Sequence, residues 1–570
     1  MSLRGASPSN LYGLVDMGSN GIRFSITDLS PATARSLPTV YQDREGISLY
    51  DAQYSTGVKG PIPQETVNAV LTSLSKFQIT CADFGVPATN IRVLATEATR
   101  TAENSEDYRR QIKQVTGWDV DLLPKEVEGR IGALGVASSF ASVDGLVMDL
   151  GGGSTQITWM IAKDGRVDTS HKGSFSFPYG AAAMSRHLAE IEAQDHPKSA
   201  RSDLKTTMKQ QFQQAYRELE LPKSLQQKAE HGGLTLYLSG GGFRGWGYLL
   251  MSQHKVSPYP IPIINGFHVQ KREFQQTAEI SAVAAEESIF RISKRRAAQV
   301  PAVAFLVNVL VEALPMIQHV RFCQGGVREG FLFDTLDPAT KALDPLQAAT
   351  AKYGTESAEH IAELLFSGLP GANSLDRYIP ETFTPPFVRS VADMMYLHCD
   401  LPKESRSLAA LQAPLTGVLA SAHGISHSDR ALLALTLCRR WNVDLAPPNH
   451  TLQERLRSIL SPQEVFWANY LGALASLVGD VYPAGRIVDP TRRPRLHFHA
   501  VWSAGLGKKG LMDGVRLTIK GRENDDMTSP AAINDAVEEI EAVGKKKNRV
   551  GGREHAFGVP IEITIERVLH

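Results

Sequence analysis

Over the whole chain, neither sign of charge is in excess. Lys plus Arg and Asp plus Glu both number 60, so no net field draws the molecule toward nucleic acid or an anionic membrane. Any anion site must be local. Cysteine is scarce: Cys81, Cys323, Cys399 and Cys438 are scattered and form no CxxC pair. That spacing argues against a disulfide framework and a zinc site, and each cysteine reads as a small buried hydrophobe. The opening MSLRGASPSN lacks the apolar core of a secretory signal, and no run is read as reaching the roughly 18 apolar residues of a membrane span. A cytoplasmic location, open to the nucleus as well, is the expectation, with neither nucleic acid nor membrane as a direct partner. At 570 residues the chain is too long for one ordinary core, and a soft prior of roughly 150 residues per domain predicts three or four domains.

What is present begins with LVDMGSNGIRFSI, Leu14 to Ile26. An apolar run ends in Asp16, turns through Gly18, Ser19 and Asn20, and resumes with Ile22, Phe24 and Ile26 alternating with polar residues. This reads as strand, tight turn, strand. GLVMDLGGGSTQITWMI, Gly145 to Ile161, repeats the plan with Asp149 at the strand end and Gly151, Gly152, Gly153, Ser154 and Thr155 in the turn. Two lobes that each open with such a hairpin can face each other across a cleft. Glycine lets a ligand approach the backbone, and consecutive N–H groups with Ser and Thr hydroxyls suit a phosphate. An Asp at the strand end offers a hard oxygen to a phosphate-bound Mg²⁺. One copy alone is more often a hairpin whose turn merely needs glycine.

Between the copies, IRVLATEATRTAEN places Thr96, Thr99, Arg100 and Asn104 after the apolar strand Ile91 to Ala95. Hydroxyls and a guanidinium there form a phosphate-facing set, or else a helix start with Thr96 as its cap. In LLPKEVEGRIGALGV, Pro124 suits a first helical turn, with Val127, Ile131 and Leu134 as an apolar stripe. Glu126 and Glu128 then offset the helix dipole, or one of them works on an attacking water at the cleft edge.

In this order, DMGSNGIRFSI, ATEATRTAEN, EVEGRIGALGV and DLGGGSTQ resemble the Ppx/GppA family of exopolyphosphatases and guanosine pentaphosphate phosphohydrolases. CQGGVREGFL (Cys323 to Leu332) is similar to a later signature of that family, and LSGGGFRGWG (Leu238 to Gly247) stands where it has another glycine turn. The resemblance implies a two-lobed actin-like ATPase fold of the α/β class, with lobe I over 1–140 and lobe II over 141–337. It implies phosphate loops at Asp16 to Asn20 and Gly151 to Thr155, Arg100 as a phosphate contact, and Glu128 as catalytic base. Asp149 would be a metal-associated catalytic carboxylate, and Asp16, Asp149 and Gln156 the positions facing a Mg²⁺ ion. ATP, polyphosphate or a guanosine tetra- or pentaphosphate would be the ligand.

Two departures stand out. The hydrolases carry Glu where this chain has Gln156, and Ser-Gly where it has Pro124-Lys125. Both features look closest to the fungal branch of the family, linked to retrograde signalling from mitochondria to nucleus through regulatory protein partners. A phosphate-sensing regulator and a working Mg²⁺-dependent phosphohydrolase therefore both stand as readings of the sequence.

The remainder is less informative. Ile292 to Ile317 reads as a basic start, Lys294 to Arg296, feeding a helix apolar nearly all round and hence buried. From 338 to 489 the pattern is helical, with capping boxes expected at Thr451/Glu454 and Ser461/Glu464. The resemblance makes this a degenerate HD-like domain, because His398, Asp400, His423, His427 and Asp429 include no adjacent His-Asp pair. An interaction role is expected of it, and it is the expected surface if the chain forms a homodimer. Residues 490–570 read as a small β-β-α-β domain, with His497 and His499 on the wet face of a strand and GKKKNRVGGREH as a basic loop.

Overall fold

The computed structural model describes residues 8–286, 294–371, 379–487, 494–507, 509–523, 525–551 and 556–568. The chain divides into two compact units. The first comprises Met1–Lys255, Ile263–Pro345 and Ser421–Ile425, and the second Val256–Pro262, Leu346–Ala420 and Ser426–His570.

In the first unit, β1 (Leu11–Gly18) and β2 (Gly21–Asp28) form the opening hairpin. With β3 (Thr39–Glu45), β4 (Ile91–Ala95) and β5 (Val120–Leu122) they make a 5-stranded sheet in the order β3-β2-β1-β4-β5. Strands β1 to β3 pair antiparallel, and β4 and β5 continue parallel to β1. Leu14, Val15 and Met17 are all fully buried, as expected of a strand covered on both faces.

The second sheet repeats the arrangement. β6 (Val143–Leu150) and β7 (Thr155–Lys163) form its hairpin, followed by β8 (Arg166–Thr169), β9 (Phe175–Phe177), β10 (Leu234–Ser239), β11 (His268–Gln270) and β12 (Ile317–Phe322). Its order is β11-β12-β10-β6-β7-β8, with β9 pairing β7 outside that path. With β9 and β11 set aside, each sheet, counted from its own hairpin, reads third, second, first, fourth, fifth strand. β11 is an antiparallel addition at the second sheet's edge.

Helix Lys294–Ala313 packs on helices Ala181–Glu192, Pro197–Glu218 and Gly240–Ser252 of the same unit. Its window Arg296–Ala313 is long and apolar enough to cross a membrane, with a mean hydropathy of 1.3, and most of it is buried inside the protein. The expectation that no segment reaches that length is corrected here: Gln299, Asn308 and Glu312 interrupt the run, and it is apolar enough only as an average over the window. The helix also stops at Ala313, and Ile317 begins β12.

The second unit is mostly helical and ends in a 3-stranded sheet of β13 (Leu496–Leu506), β14 (Met512–Arg522) and β15 (Ile561–Val568). Helix Pro530–Val543 connects the parallel pair β14 and β15, which gives the expected β-β-α-β order. Along β13 the pattern alternates: Leu496, Phe498 and Ala500 are buried, and His497 and His499 are exposed. Ser461 and Glu464 form the expected capping box of helix Pro462–Val481. Thr451 does not cap a helix. Its helix starts at Pro447, and the Thr451 hydroxyl donates back to the Pro447 carbonyl. Cys81, Cys323 and Cys438 are buried, whereas Cys399 is exposed.

Candidate functional site

The two hairpins fix the site through register. Ser19 and Asn20 turn the first, which sets Gly18 against Gly21 and Asp16 against Arg23. Gly151 to Ser154 turn the second, which sets Leu150 against Thr155 and Asp149 against Gln156. Asp16 and Asp149 therefore occupy equivalent places, and so do Arg23 and Gln156.

Both loops are braced from behind. The Ser19 carbonyl accepts from Tyr50 N (3.0 Å) and Ser48 Oγ (3.1 Å) at the start of helix Leu49–Gln53. The carbonyls of Gly151, Gly152 and Gly153 accept from the backbone amides of Gly180 to Ala183, where helix Ala181–Glu192 begins. Among the described residues, the N–H groups of Gly152, Gly153 and Ser154 keep no hydrogen-bond partner. Three successive uncommitted N–H groups make an anion cradle. Behind them Thr155 is fully buried, and its Oγ1 also lacks a partner among the described residues. The loops meet across the lobes: a Cβ on Gly152 would lie 2.6 Å from Asn20 Nδ2, so any other residue there would have to displace the Asn20 amide.

Around Glu128 lies a small cavity of about 50 Å³, lined also by Asp149, Gln156, Thr158, Ser174 and Ser239. Glu128 projects from helix Lys125–Ser138 and pairs with Arg100 at 3.0 Å. Burial pushes its carboxyl up to about 7, against the pull of Arg100 and with a further push from Glu97 and Asp149. Asp149 Oδ1 accepts from the Ser239 hydroxyl. A Cβ on Gly129 would lie 3.3 Å from Gln156 Oε1, which fixes how closely the amide approaches the Glu128 helix. Glu126 is exposed and outside this cavity.

Asp16 is buried and bound to Arg23 at 3.4 Å. Burial raises its carboxyl above the ordinary range, while Arg23 and Arg328 pull it down. Arg23 belongs to a group of interacting guanidiniums. Arg244 is pushed down to about 10 by burial and then by Arg23. Arg296 is pushed down to about 9 by burial and then by Arg244, Arg44 and Arg23. Like charges held this close are relieved by an anion among them. Arg44 also donates to the Asn20 carbonyl (3.1 Å), which ties this group to the first loop. A second cavity of about 600 Å³ includes Ser19 and Gly153 from the two loop tips, together with Tyr50, Tyr54, Tyr179 and Arg186.

The structure thus gathers Glu128, Asp149 and Gln156 in one cavity and brings the two loops together. Asp16 lines neither cavity and is held by Arg23. Thr96 donates to the Met17 carbonyl, and Asn104 pins Ile62 through paired hydrogen bonds of 2.8 and 2.9 Å, so both brace the lobe. Arg23, Arg44, Arg244 and Ser239 were not singled out from the sequence. The hairpin register would have found Arg23, whereas Arg44 and Ser239 arrive from other strands and Arg244 from the helix after β10. The side chains of Lys294 and Arg295 lie outside the described residues.

Two sheets of one strand order, each opening with a glycine-turn hairpin and meeting at those turns, define the actin-like ATPase class. The chain belongs to the Ppx/GppA phosphatase family, which residues 29–339 match, while residues 344–568 match the RTG2 C-terminal domain. Retrograde regulation protein 2 of Saccharomyces cerevisiae is 36% identical over 499 residues, 84% of this chain and 82% of that protein. Guanosine-5'-triphosphate,3'-diphosphate pyrophosphatase of Photobacterium profundum is 31% identical over 150 residues, covering 26% of this chain and 29% of its own length. A Ppx/GppA family member of Aquifex aeolicus, solved by crystallography, aligns with a TM-score of 0.44 at 20% identity, covering 57% of this chain and 96% of that one.

Proposed function

We propose that this chain is a phosphate- or nucleotide-responsive regulator, which binds ATP or a polyphosphate between the lobes of its first unit and gates protein partners. Gln156 carries the reading. It stands across the hairpin from Asp149 and shares a cavity with Glu128, where the resemblance to the hydrolases calls for an acid. An amide brings no negative charge and cannot take a proton at neutral pH. Loss of one such group lowers turnover on the order of 10²–10⁴-fold, and the loop amides and arginines that would hold a phosphate chain remain. The name of the Saccharomyces cerevisiae relative, a retrograde regulation protein, supports the regulatory side.

The donors fit a Mg²⁺ ion shared with phosphate. Ser239 engages only Oδ1 of Asp149, and Gln156 lines the same cavity. A phosphate-bound cation of this kind takes one or two carboxylates plus phosphate oxygens. Held by Asp149 and Gln156, it would neutralise phosphate charge. The free N–H groups of Gly152 to Ser154 and the Thr155 hydroxyl would bind phosphoryl oxygens, and Arg23, Arg244 and Arg296 would balance the charge of the chain.

One observation favours a working phosphohydrolase instead. Glu128, held at about 7 beside Arg100, is near the acidity at which a carboxyl exchanges a proton with water most effectively. The deciding experiment measures Mg²⁺-dependent phosphate release from polyphosphate, guanosine pentaphosphate and ATP, with binding followed by calorimetry. Binding with turnover far below about 1 s⁻¹ supports the regulator. Turnover at or above that rate, abolished in Glu128→Gln, replaces it with the hydrolase. Gating is read from limited proteolysis with and without ligand, and digestion unchanged despite confirmed binding removes that part.

A further inference from the structure

The second unit contains a cavity of about 920 Å³, within the size range of pockets that enclose a small ligand. Helices His427–Trp441, Pro447–Ser458 and Pro462–Val481 contribute to it, as do helix Pro530–Val543 and the basic segment that follows. Its charges are unequal. Arg439, Arg457, Lys545, Lys547 and Arg549 line it against the acids Glu454 and Glu539. Glu454 is already taken by Arg457 at 2.8 Å, and Glu539 by Arg439 at 2.5 Å. Among the described residues, Lys545, Lys547 and Arg549 have no carboxylate partner, and the buried Nε of Arg457 has no acceptor.

The basic segment is held in place. Lys545 N donates to the Ala542 carbonyl (3.1 Å), Asn548 N to the Lys545 carbonyl (2.8 Å) and Asn548 Nδ2 to the Ala542 carbonyl (2.6 Å). Gly544 packs so closely on the start of β15 that a Cβ would lie 2.7 Å from Ile561 N. A loop fixed in this way presents its cations as a set, without the ordering cost that a flexible tail would bring. Among the described residues no aromatic side chain lines the cavity, so no ring there would stack on a nucleobase. Selection rests on charge and on guanidinium forks, which match phosphate oxygens.

We infer that this cavity is an anion site in its own right, which takes a compact, multiply phosphorylated small molecule. The convergence of its cations on one concave volume favours such a ligand over an acidic peptide, which a stripe of charge would suit better.

The test titrates the full chain by calorimetry with tripolyphosphate, inositol hexakisphosphate and ATP at physiological salt. The Arg296→Ala variant, which weakens the first unit's cleft, is compared with the same variant carrying Lys545→Gln, Lys547→Gln and Arg549→Gln. Loss of at least about 30-fold in tripolyphosphate or inositol hexakisphosphate affinity, equivalent to about 2 kcal/mol, supports the site. Which of the two binds more tightly identifies a linear or a ring-borne phosphate source, and ATP is expected to gain nothing from its base. Equal affinity in the two variants overturns the proposal. So does a poly-glutamate peptide that binds through these lysines and is not displaced by tripolyphosphate. Thermal unfolding without ligand controls for folding, and Lys547→Glu alone, at an exposed position, provides a second variant with the same expected direction.

Discussion

In the first lobe the carboxylate at the strand end faces an arginine across its hairpin, and in the second lobe the equivalent carboxylate faces an amide. The first pair closes on itself. Asp16 is buried and bound to Arg23, and that arginine joins Arg244 and Arg296 in a field of positive charge. The second pair stays open: Asp149 is held by one hydroxyl and borders a cavity shared with Glu128 and Gln156. One backbone plan thus yields two arrangements, a paired carboxylate within a cluster of guanidiniums and a set of oxygens that border a cavity. The difference comes from a single position in the register.

The largest effect is expected from restoring the acid. Gln156→Glu should raise Mg²⁺-dependent phosphate release by about 10²–10⁴-fold, and adding Glu128→Gln should remove the gain. An unchanged rate would mean that the second hairpin differs from a hydrolase site in more than one group. Next comes the positive field. Arg296→Ala should weaken tripolyphosphate binding to the first unit by about 10- to 100-fold, the worth of one charge-assisted hydrogen bond, with little change in the unliganded fold.

A pH series sharpens the comparison further. Glu128 is held at about 7, above its unfolded value near 4.5, so its contribution to stability is full below pH 4.5 and is lost as pH rises through 7. Glu128→Gln cannot ionise. Its stability relative to wild type should therefore climb between those limits, by at most about 3 kcal/mol, as read from denaturant unfolding at pH 5 and pH 8. The smallest effect is expected at the hydroxyl beside Asp149. Ser239→Ala should cost about 1.5 kcal/mol of stability, and a Thr at that position should recover most of it.

Much of this was legible in the sequence because period-two alternation and glycine turns are local signals. They give both hairpins, the strand Ile91–Ala95 and the closing β-β-α-β domain. The helix that carries Glu126 and Glu128 was also legible, since Pro124 marks its start, whereas the choice of Glu128 came from the family resemblance. The field around Arg296 was not, because Arg23, Arg44 and Arg244 come from β2, β3 and the helix after β10, and no local period links them. Boundaries failed where two signals compete: at Thr451 a proline pair four residues earlier had already started the helix. Cys399 failed because a short apolar neighbourhood does not by itself place a residue inside the core.

The register that sets Gln156 opposite Asp149 also has a genetic consequence. Glutamine and glutamate codons differ only at the first base, so an acid at this place is a single transversion away, and so is its loss. A mutagenised library screened for phosphate release would therefore need only point mutants to sample both chemistries at this hairpin. The mutational distance between the two kinds of cleft is as short as the genetic code allows.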